Sequence, residues 1–212
     1  PAIECLLHRA DCARRLLLHT KAAGTEGAEK LIALARRHHV RVEEADKALV
    51  RVSGKENCFA AAVFTKFQDT LNGDKPHVVL HNPSDCGNVG TILRTALGFG
   101  VEDRVVRASM GSMFSLRLRV YDDFARYRAD YPAHALYPFM LDGSCSLPEA
   151  LAGPVPERYV LVFGNEGSGL PGEFAGMGQP VRIPSNDRID SLNLAVAAAI
   201  GIYGFTQRHG KE

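Results

Sequence analysis

Three short polar loops, each following an apolar run, hold the residues of this 212-residue chain best suited to chemistry. The last loop, PSNDRIDSLN, follows VRI, and from Ser191 the chain reads SLNLAVAAAIGIYGF, a buried helix by composition with Ser191 and Asn193 at its head. Serine is a favoured helix N-cap and the first turn offers unpaired N–H groups, so Ser191 is read as the cap and Asn193 as a first-turn polar residue beside a ligand. The middle loop, GNEGSGLP, follows YVLVF and joins three glycines to Asn165 and Glu166. Glycines let a ligand approach the backbone closely. Glu166 suits a pairing with Arg94, a contact to substrate, or a plain turn. The first loop follows HVVLH and reads NPSDCGNVGTILRTALGFG. Its Gly87-Asn88-Val89-Gly90 turn before a helix can bind phosphate through backbone N–H groups, and Asn88 serves equally as a cap. Arg94, inside ILRTAL, needs a carboxylate or phosphate partner, and taken alone a structural salt bridge is its simpler reading.

The elements that must position these loops follow from periodicity. Apolar strands are read at 77–81, 104–108, 136–141, 159–163 and 181–183, with helices at 88–99, 124–131 and 192–208. Strands alternating with helices imply a mostly parallel sheet covered on both faces, with ligands outside the carboxyl ends of the strands. The three loops then converge on one site. Upstream, strands at 14–19, around Val40 and Val42, and at 59–64 alternate with helices at 28–38 and 44–49, a small α/β/α domain. Residues 2–7 fit a strand or a helix. The polar segment LNGDKP (71–76) is read as the boundary, giving domains 1–70 and 77–212.

Bulk properties exclude several classes. Hydrophobic content of 46% and charged content of 23% are those of a globular protein, and no apolar stretch spans a membrane. The start, PAIECLLHRADCARR, lacks a signal-peptide layout and an initiator Met, as a piece of a longer chain would. Five scattered cysteines without CxxC spacing favour neither a disulfide framework nor zinc, and a cytoplasmic location is expected. The dinucleotide GxGxxG and the P-loop GxxxxGK[ST] are absent, as are a Ser/His/Asp order and a metal-ligand cluster. Net charge is +1, split as +3 over residues 1–72 and −2 over 73–212, a weak hint of a phosphate-binding face. Arg104, Arg107, Arg117, Arg119, Arg126 and Arg128 form a candidate RNA surface. Asp122, Asp123 and Asp130 nearby make a solvated, salt-bridged face the better reading.

Together, Asn88-Val89-Gly90 through Arg94-Thr95-Ala96 to Phe99-Gly100, Leu161 to Gly167 with Gly169-Leu170, and Ile183-Pro184 with Ser191-Leu192-Asn193-Leu194 resemble the three motifs of the SpoU/TrmH family. The members are RNA ribose 2′-O-methyltransferases of the SPOUT superfamily. Residues 2–67 resemble, by hydrophobic pattern, the L30e-like substrate-binding domain of many members. The resemblance implies an α/β fold with a trefoil-knotted C-terminal domain, S-adenosylmethionine as cofactor without a metal, rRNA or tRNA as partner, and a homodimer. It implies that Arg94 activates the ribose hydroxyl or, more soundly for an always-protonated group, stabilises the developing alkoxide. Asn88, Glu166, Ser191 and Asn193 would position it. Phe163, Gly164, Asn165, Gly167, Ile183, Pro184 and Leu192 would hold the cofactor. The chain departs from the family at Ser185 and Asp187, where Met and Gly are usual, and at Ala195, where Ser is usual. The alternative reading is a non-catalytic RNA-binding or ribosome-assembly protein on the same scaffold. A nucleotide-dependent metabolic enzyme is disfavoured by the missing fingerprints.

Overall fold

A computed structural model describes residues 1–53, 57–101, 103–105, 112–186 and 188–209, and divides the chain into two compact units. One comprises residues 1–67 and 110–115, the other 68–109 and 116–212.

The first unit is a three-stranded sheet with helices. In chain order it runs α1 (Ala2–His8), β1 (Ala13–Leu18), α2 (Glu26–Arg37), β2 (Arg41–Glu44), α3 (Asp46–Ser53) and β3 (Ala60–Phe64). Strand β1 lies in the middle, parallel to β2 and antiparallel to β3. Thr25 caps α2 by accepting from the Ala28 N–H, and Arg36 and Arg37 close its last turn, where cations suit the helix dipole. Cys5, Leu6, Leu16 and Ala35 are completely buried at the centre. Residues 112–115, which follow the fifth strand in sequence, add Phe114, which packs edge-on against Phe64 at 5.0 Å and accepts a hydrogen bond at its carbonyl from Arg9.

The second unit carries a five-stranded, wholly parallel sheet. Its elements are β4 (His77–Leu80), α4 (Cys86–Gly98), β5 (Asp103–Val105), β6 (Arg117–Leu118), α5 (Phe124–Asp130), β7 (Ala135–Pro138), β8 (Cys145–Ser146), α6 (Leu147–Ala152), β9 (Tyr159–Phe163), β10 (Val181–Arg182) and α7 (Leu194–His209). The sheet order is β6-β5-β4-β9-β7, and β8 and β10 form a separate parallel pair. Strands β4 and β9 are buried along their whole length, as expected of central strands covered on both faces. Their register, His77 to Val160 through Leu80 to Phe163, ends both at the same level, so the loops after them open side by side.

The expected strands and helices are present with shifts of a few residues. The strand read at 136–141 stops at Pro138, and that read at 104–108 is seen at 103–105, its remainder lying outside the described residues. Strands β6 and β8 and helix α6 were not anticipated, being two to six residues long. Helix α6 nonetheless has a full capping box. Ser146 accepts from the Glu149 N–H, and the Glu149 carboxylate accepts from the Ser146 backbone.

A buried polar pair sits in the core of this unit. His77 and His134 stack at 4.2 Å between ring centroids, and both are buried. His77 donates through Nε2 to the Asn72 carbonyl, so its Nδ1 accepts from the Tyr127 hydroxyl at 2.9 Å. His134 donates through Nε2 to the Lys75 carbonyl, and its Nδ1 has no partner among the described residues. Burial pushes both rings toward the neutral form, His77 down to about 4.

Candidate active site

The loops after β4 and β9 are joined by one carboxylate. Glu166 Oε2 accepts from the backbone and hydroxyl of Ser84 at 2.8 and 2.7 Å, and Oε1 accepts from the Asp85 N–H and Asn88 Nδ2, each at 3.1 Å. Desolvation opposes its charge, yet the bonds from the Ser84 backbone and hydroxyl and from Asn88 outweigh it and hold the carboxyl down at about 2. An ionised carboxylate only accepts, so Asn88 must turn its amide nitrogen toward Glu166 and its oxygen outward. That oxygen accepts from Asn193 Nδ2 at 3.0 Å. Asn193 is thereby oriented too, and its own oxygen accepts from the Ala195 and Val196 N–H groups at 2.8 and 3.3 Å. One negative charge thus sets the direction of a hydrogen-bonded chain that ends as the cap of α7.

This arrangement corrects three expectations. Asn193, not Ser191, caps the last helix, because α7 starts at Leu194 and Asn193 occupies the position before it. Asp85, not Asn88, caps α4 by accepting from the Gly87 and Asn88 N–H groups, which frees the Asn88 side chain to bridge. Glu166 does not pair with Arg94, since four closer donors take up its two oxygens. Among the described residues Arg94 makes no hydrogen bond or ion pair and its side chain is exposed, so the salt bridge read for it is also absent. Ser84 and Asp85 were missed as parts of the site. The signal was an Asp just ahead of the first apolar-periodic residues of α4, a cap pattern that Asn88 also offered.

A cavity of about 400 Å³ opens at the carboxyl ends of the strands, within the range of small-molecule sites. Phe163, Gly164, Asn165, Glu166 and Gly167 line one side, and Ile183, Ser191 and Leu192 another. Pro184 is exposed and stands outside this lining, as do Asn88, Arg94 and Asn193. A further wall was not foreseen: Phe139, Met140, Leu141 and Asp142, which follow β7. The sequence offered only the strand 136–141 there, and strand reading says nothing of what its end faces. Phe139 stacks on Phe163 at 4.4 Å.

Close backbone approach shapes the cavity. Asn165 and Gly169 exchange both backbone hydrogen bonds at 3.0 Å, and a Cβ on Gly164 would lie 2.2 Å from the Gly169 carbonyl carbon. Asn165 braces this turn by accepting from the Gly167 and Ser168 N–H groups while donating to the Asn82 carbonyl. The glycines of this loop therefore serve chain packing as well as ligand access. Among the described residues no cluster of His, Cys, Asp and Glu is arranged to hold a metal ion.

The candidate arginine surface resolves mostly as read. Arg126 pairs with Asp122, Arg119 with Asp130, and Arg128 donates to the carbonyls of Tyr131, Pro132 and His134. Arg107 and the Arg104 side chain lie outside what is described.

Comparison with known proteins places these loops in a family. Residues 75–203 match the family model described as "SpoU rRNA Methylase family". A 23S rRNA (adenosine(1067)-2′-O)-methyltransferase of Streptomyces laurentii is 35% identical over 158 residues, covering 66% of this chain. The chain spans only 57% of that relative's length. A TrmH-family structure from Porphyromonas gingivalis superposes with a TM-score of 0.71 at 27% identity, over 97% of this chain and 86% of that one. The SpoU methyltransferase AviRb of Streptomyces viridochromogenes, solved in complex with AdoMet, shares the fold with a TM-score of 0.78 at 21% identity, over all of this chain and 90% of that one. The family match takes in every loop around the cavity and well over half of the chain, and the protein belongs to the SpoU rRNA methylase family.

Proposed function

We propose that this protein transfers a methyl group from S-adenosylmethionine to a ribose 2′-hydroxyl of rRNA or tRNA. The observation that carries the reading is the cavity at the carboxyl ends of β9 and β10, bordered by the chain Glu166–Asn88–Asn193. Its residues fit the cofactor. Phe139, Leu141, Phe163 and Ile183 give apolar walls for a purine, and the missing side chains at Gly164, Gly167 and Gly169 let it approach the backbone closely. When bound, the cofactor supplies an electrophilic methyl group.

The chain's own residues do the rest. Arg94, without a partner among the described residues, stabilises the oxygen as its negative charge grows and orients a neighbouring RNA phosphate. Asn88, Glu166 and Asn193 hold the loops that present it, and Ser191 meets the ligand at the cavity wall. Phe163, Gly164, Asn165, Gly167, Ile183 and Leu192 take up the cofactor, and Pro184 shapes the loop above. Transfer needs the oxygen, methyl carbon and sulfur in line, so positioning supplies much of the rate.

Several structural expectations belong to the same proposal. Residues 1–70 act as an L30e-like RNA-binding domain and residues 77–212 as the methyltransferase domain. A trefoil knot in the second of these belongs to the same proposal, and its segments pack at distances that only glycine permits. A Cβ at Gly143 would lie 2.7 Å from the Val181 backbone, and one at Gly178 would lie 2.4 Å from the Leu136 carbonyl oxygen. The homodimer is supported by an apolar stripe on α7, with Val196, Ile200 and Tyr203 exposed by 47%, 37% and 52% at helical spacing. Phe99, 40% exposed, lies against Tyr203 and extends it. No described helix is long and apolar enough to cross a membrane, all five cysteines are free, and the proposed site of action is the cytoplasm.

The test is to incubate the purified protein with methyl-labelled S-adenosylmethionine and total RNA from a strain lacking the gene, then map 2′-O-methyl positions. Label at one ribose position, lost with Arg94→Ala while cofactor binding persists, is the expected result. Cofactor binding without transfer to any RNA would overturn the assignment in favour of a non-catalytic RNA binder.

A further inference from the structure

Asp142 lines the cavity, and among the described residues its carboxylate makes no hydrogen bond or ion pair. Among the described residues of the lining the only other carboxylate, Glu166, already accepts four hydrogen bonds. A ligand that brings hydroxyl donors into this cavity therefore meets one carboxylate with acceptor sites to spare.

The fold also says which end of the ligand arrives there. In the sheet order β4-β9-β7, the polar chain through Asn88 rises over β4 and β9, while Asp142 follows β7 on the far side of β9. Transfer to a hydroxyl must occur near Arg94 and Asn88, on the β4 side. The part of the cofactor farthest from the methyl group then lies over β7 and β10, against Phe139, Met140 and Leu141. That part is the purine, the ribose with its two vicinal hydroxyls lies next to it on the side of the methyl group, and Asp142 is the lining carboxylate that directly follows the apolar wall in sequence.

Asp142 is held in place. Phe139 bridges to Val181, the Met140 N–H donates to the Val181 carbonyl at 3.0 Å, and the Gly143 N–H returns to the Met140 carbonyl at 3.3 Å. Only glycine fits at 143, because a Cβ would meet the Val181 backbone at 2.7 Å. The turn is thus clamped onto β10 with Asp142 at its tip.

We propose that Asp142 accepts hydrogen bonds from the ribose 2′- and 3′-hydroxyls of the adenosine moiety and so selects ribosyl over deoxyribosyl cofactors. This rests on the reading that the cavity holds S-adenosylmethionine. A hydroxyl–carboxylate bond is charge-assisted, and its loss weakens binding by about 10- to 100-fold.

Calorimetry on the intact protein tests this with S-adenosylhomocysteine and its 2′,3′-dideoxy analogue. Wild type is expected to bind the dideoxy compound at least about 10-fold more weakly. Asp142→Ala, checked for native circular dichroism, is expected to bind S-adenosylhomocysteine about 10- to 100-fold more weakly and to lose that preference. Asp142→Asn, which keeps one acceptor oxygen, is expected to fall between the two. An Asp142→Ala protein that binds with wild-type affinity, or that still discriminates against the dideoxy analogue, overturns the assignment. Failure of wild type to bind either S-adenosylhomocysteine or S-adenosylmethionine would instead overturn the cofactor reading beneath it.

Discussion

Replacing Asn88 with Asp changes one NH₂ to an oxygen and leaves the shape of the side chain intact, which isolates the electrostatics of the Glu166 chain. Asn193 still finds its acceptor. On the other side, the donor at 3.1 Å from Glu166 Oε1 becomes an oxygen that carries charge. Two unit charges 3.1 Å apart repel by roughly 1 kcal/mol in bulk water and roughly 5 kcal/mol at an effective dielectric of 20. The site is partly exposed, so the repulsion falls near the lower half of that range, and the lost hydrogen bond to a charged group adds about 1.5 kcal/mol or more. The expected cost is about 3 kcal/mol at pH 8, or a fall in midpoint of roughly 6–12 °C for a chain of this size. The sign of its pH dependence is the sharper test. The carboxyl pair takes up a proton more readily folded than unfolded. The penalty is therefore fully present well above the raised folded pKa and shrinks as pH falls toward the ordinary Asp value of about 3.9. Below about pH 5 a shared proton restores a hydrogen bond, and the variant should approach wild type. Asn88→Ala loses the bond without the repulsion, so its deficit stays constant over the same range. Thermal unfolding at half-unit pH steps measures all three proteins. A variant as stable as wild type at pH 8, or a deficit that ignores pH, would refute the picture of an ionised Glu166 orienting Asn88.

Other perturbations reach different parts of the molecule. Arg94→Ala is expected to lower methyl transfer by about 10²–10³-fold while leaving the dissociation constant for S-adenosylmethionine unchanged, and unaltered turnover would remove Arg94 from the reaction. His77, lowered to about 4 by burial, contributes stability that is fully present above the unfolded value near 6.5 and lost as pH falls through 4. About 3 kcal/mol is at stake, urea midpoints between pH 6.5 and 4.5 should fall accordingly, and a flat profile there would contradict the buried neutral ring. Gly164→Ala would set a methyl group 2.2 Å from the Gly169 backbone, so it should cost several kcal/mol or prevent folding, and a normally stable variant would show that the turn can open. Ile200→Glu, on the exposed stripe of α7, should convert the proposed dimer to monomer in sedimentation velocity, whereas a dimer unaffected by it would place the interface elsewhere.

The sequence carried the strands and long helices because their apolar periodicity is set by burial, and burial of the two central strands is complete. Strands β4 and β9 are continuous apolar runs for that reason. It did not carry β6, β8 or α6, which are too short for periodicity to show. Within the site, residue types were legible and partners were not. Ser191 and Asn193 are two good caps two residues apart, and only the chain direction at Leu194 decides between them. Asp85 and Asn88 pose the same choice at α4, and the loser in each case was free for another task. Asn88 used that freedom to bridge to Glu166 from 78 residues away, a contact that local propensity cannot express. The wall at residues 139–142 was invisible because β7 becomes part of the cavity only through its pairing with β9 and the bridge to β10.

The charge state of Glu166 also limits the chemistry that the site can perform. With its carboxyl held down at about 2, it is ionised near neutral pH and is poorly suited to give or take a proton during turnover. Its four donors leave it no direction from which to approach a substrate hydroxyl. Asn88 and Asn193 do not titrate, and a guanidinium has no lone pair suited to take a proton. None of these polar residues is therefore suited to act as a general base, and in the proposed reaction the hydroxyl loses its proton to water, to the RNA or to a group outside the Glu166 chain as the bond to carbon forms. Rate should then depend on how well the oxygen is held in line and how strongly Arg94 favours the developing negative charge. For the proposed transfer, the Glu166 chain is expected to contribute no ionisation between about pH 3 and 6 to the pH–rate profile, while salt and RNA geometry move the rate. An acid limb in that range that survives Asp142→Asn would point to a base outside the Glu166 chain.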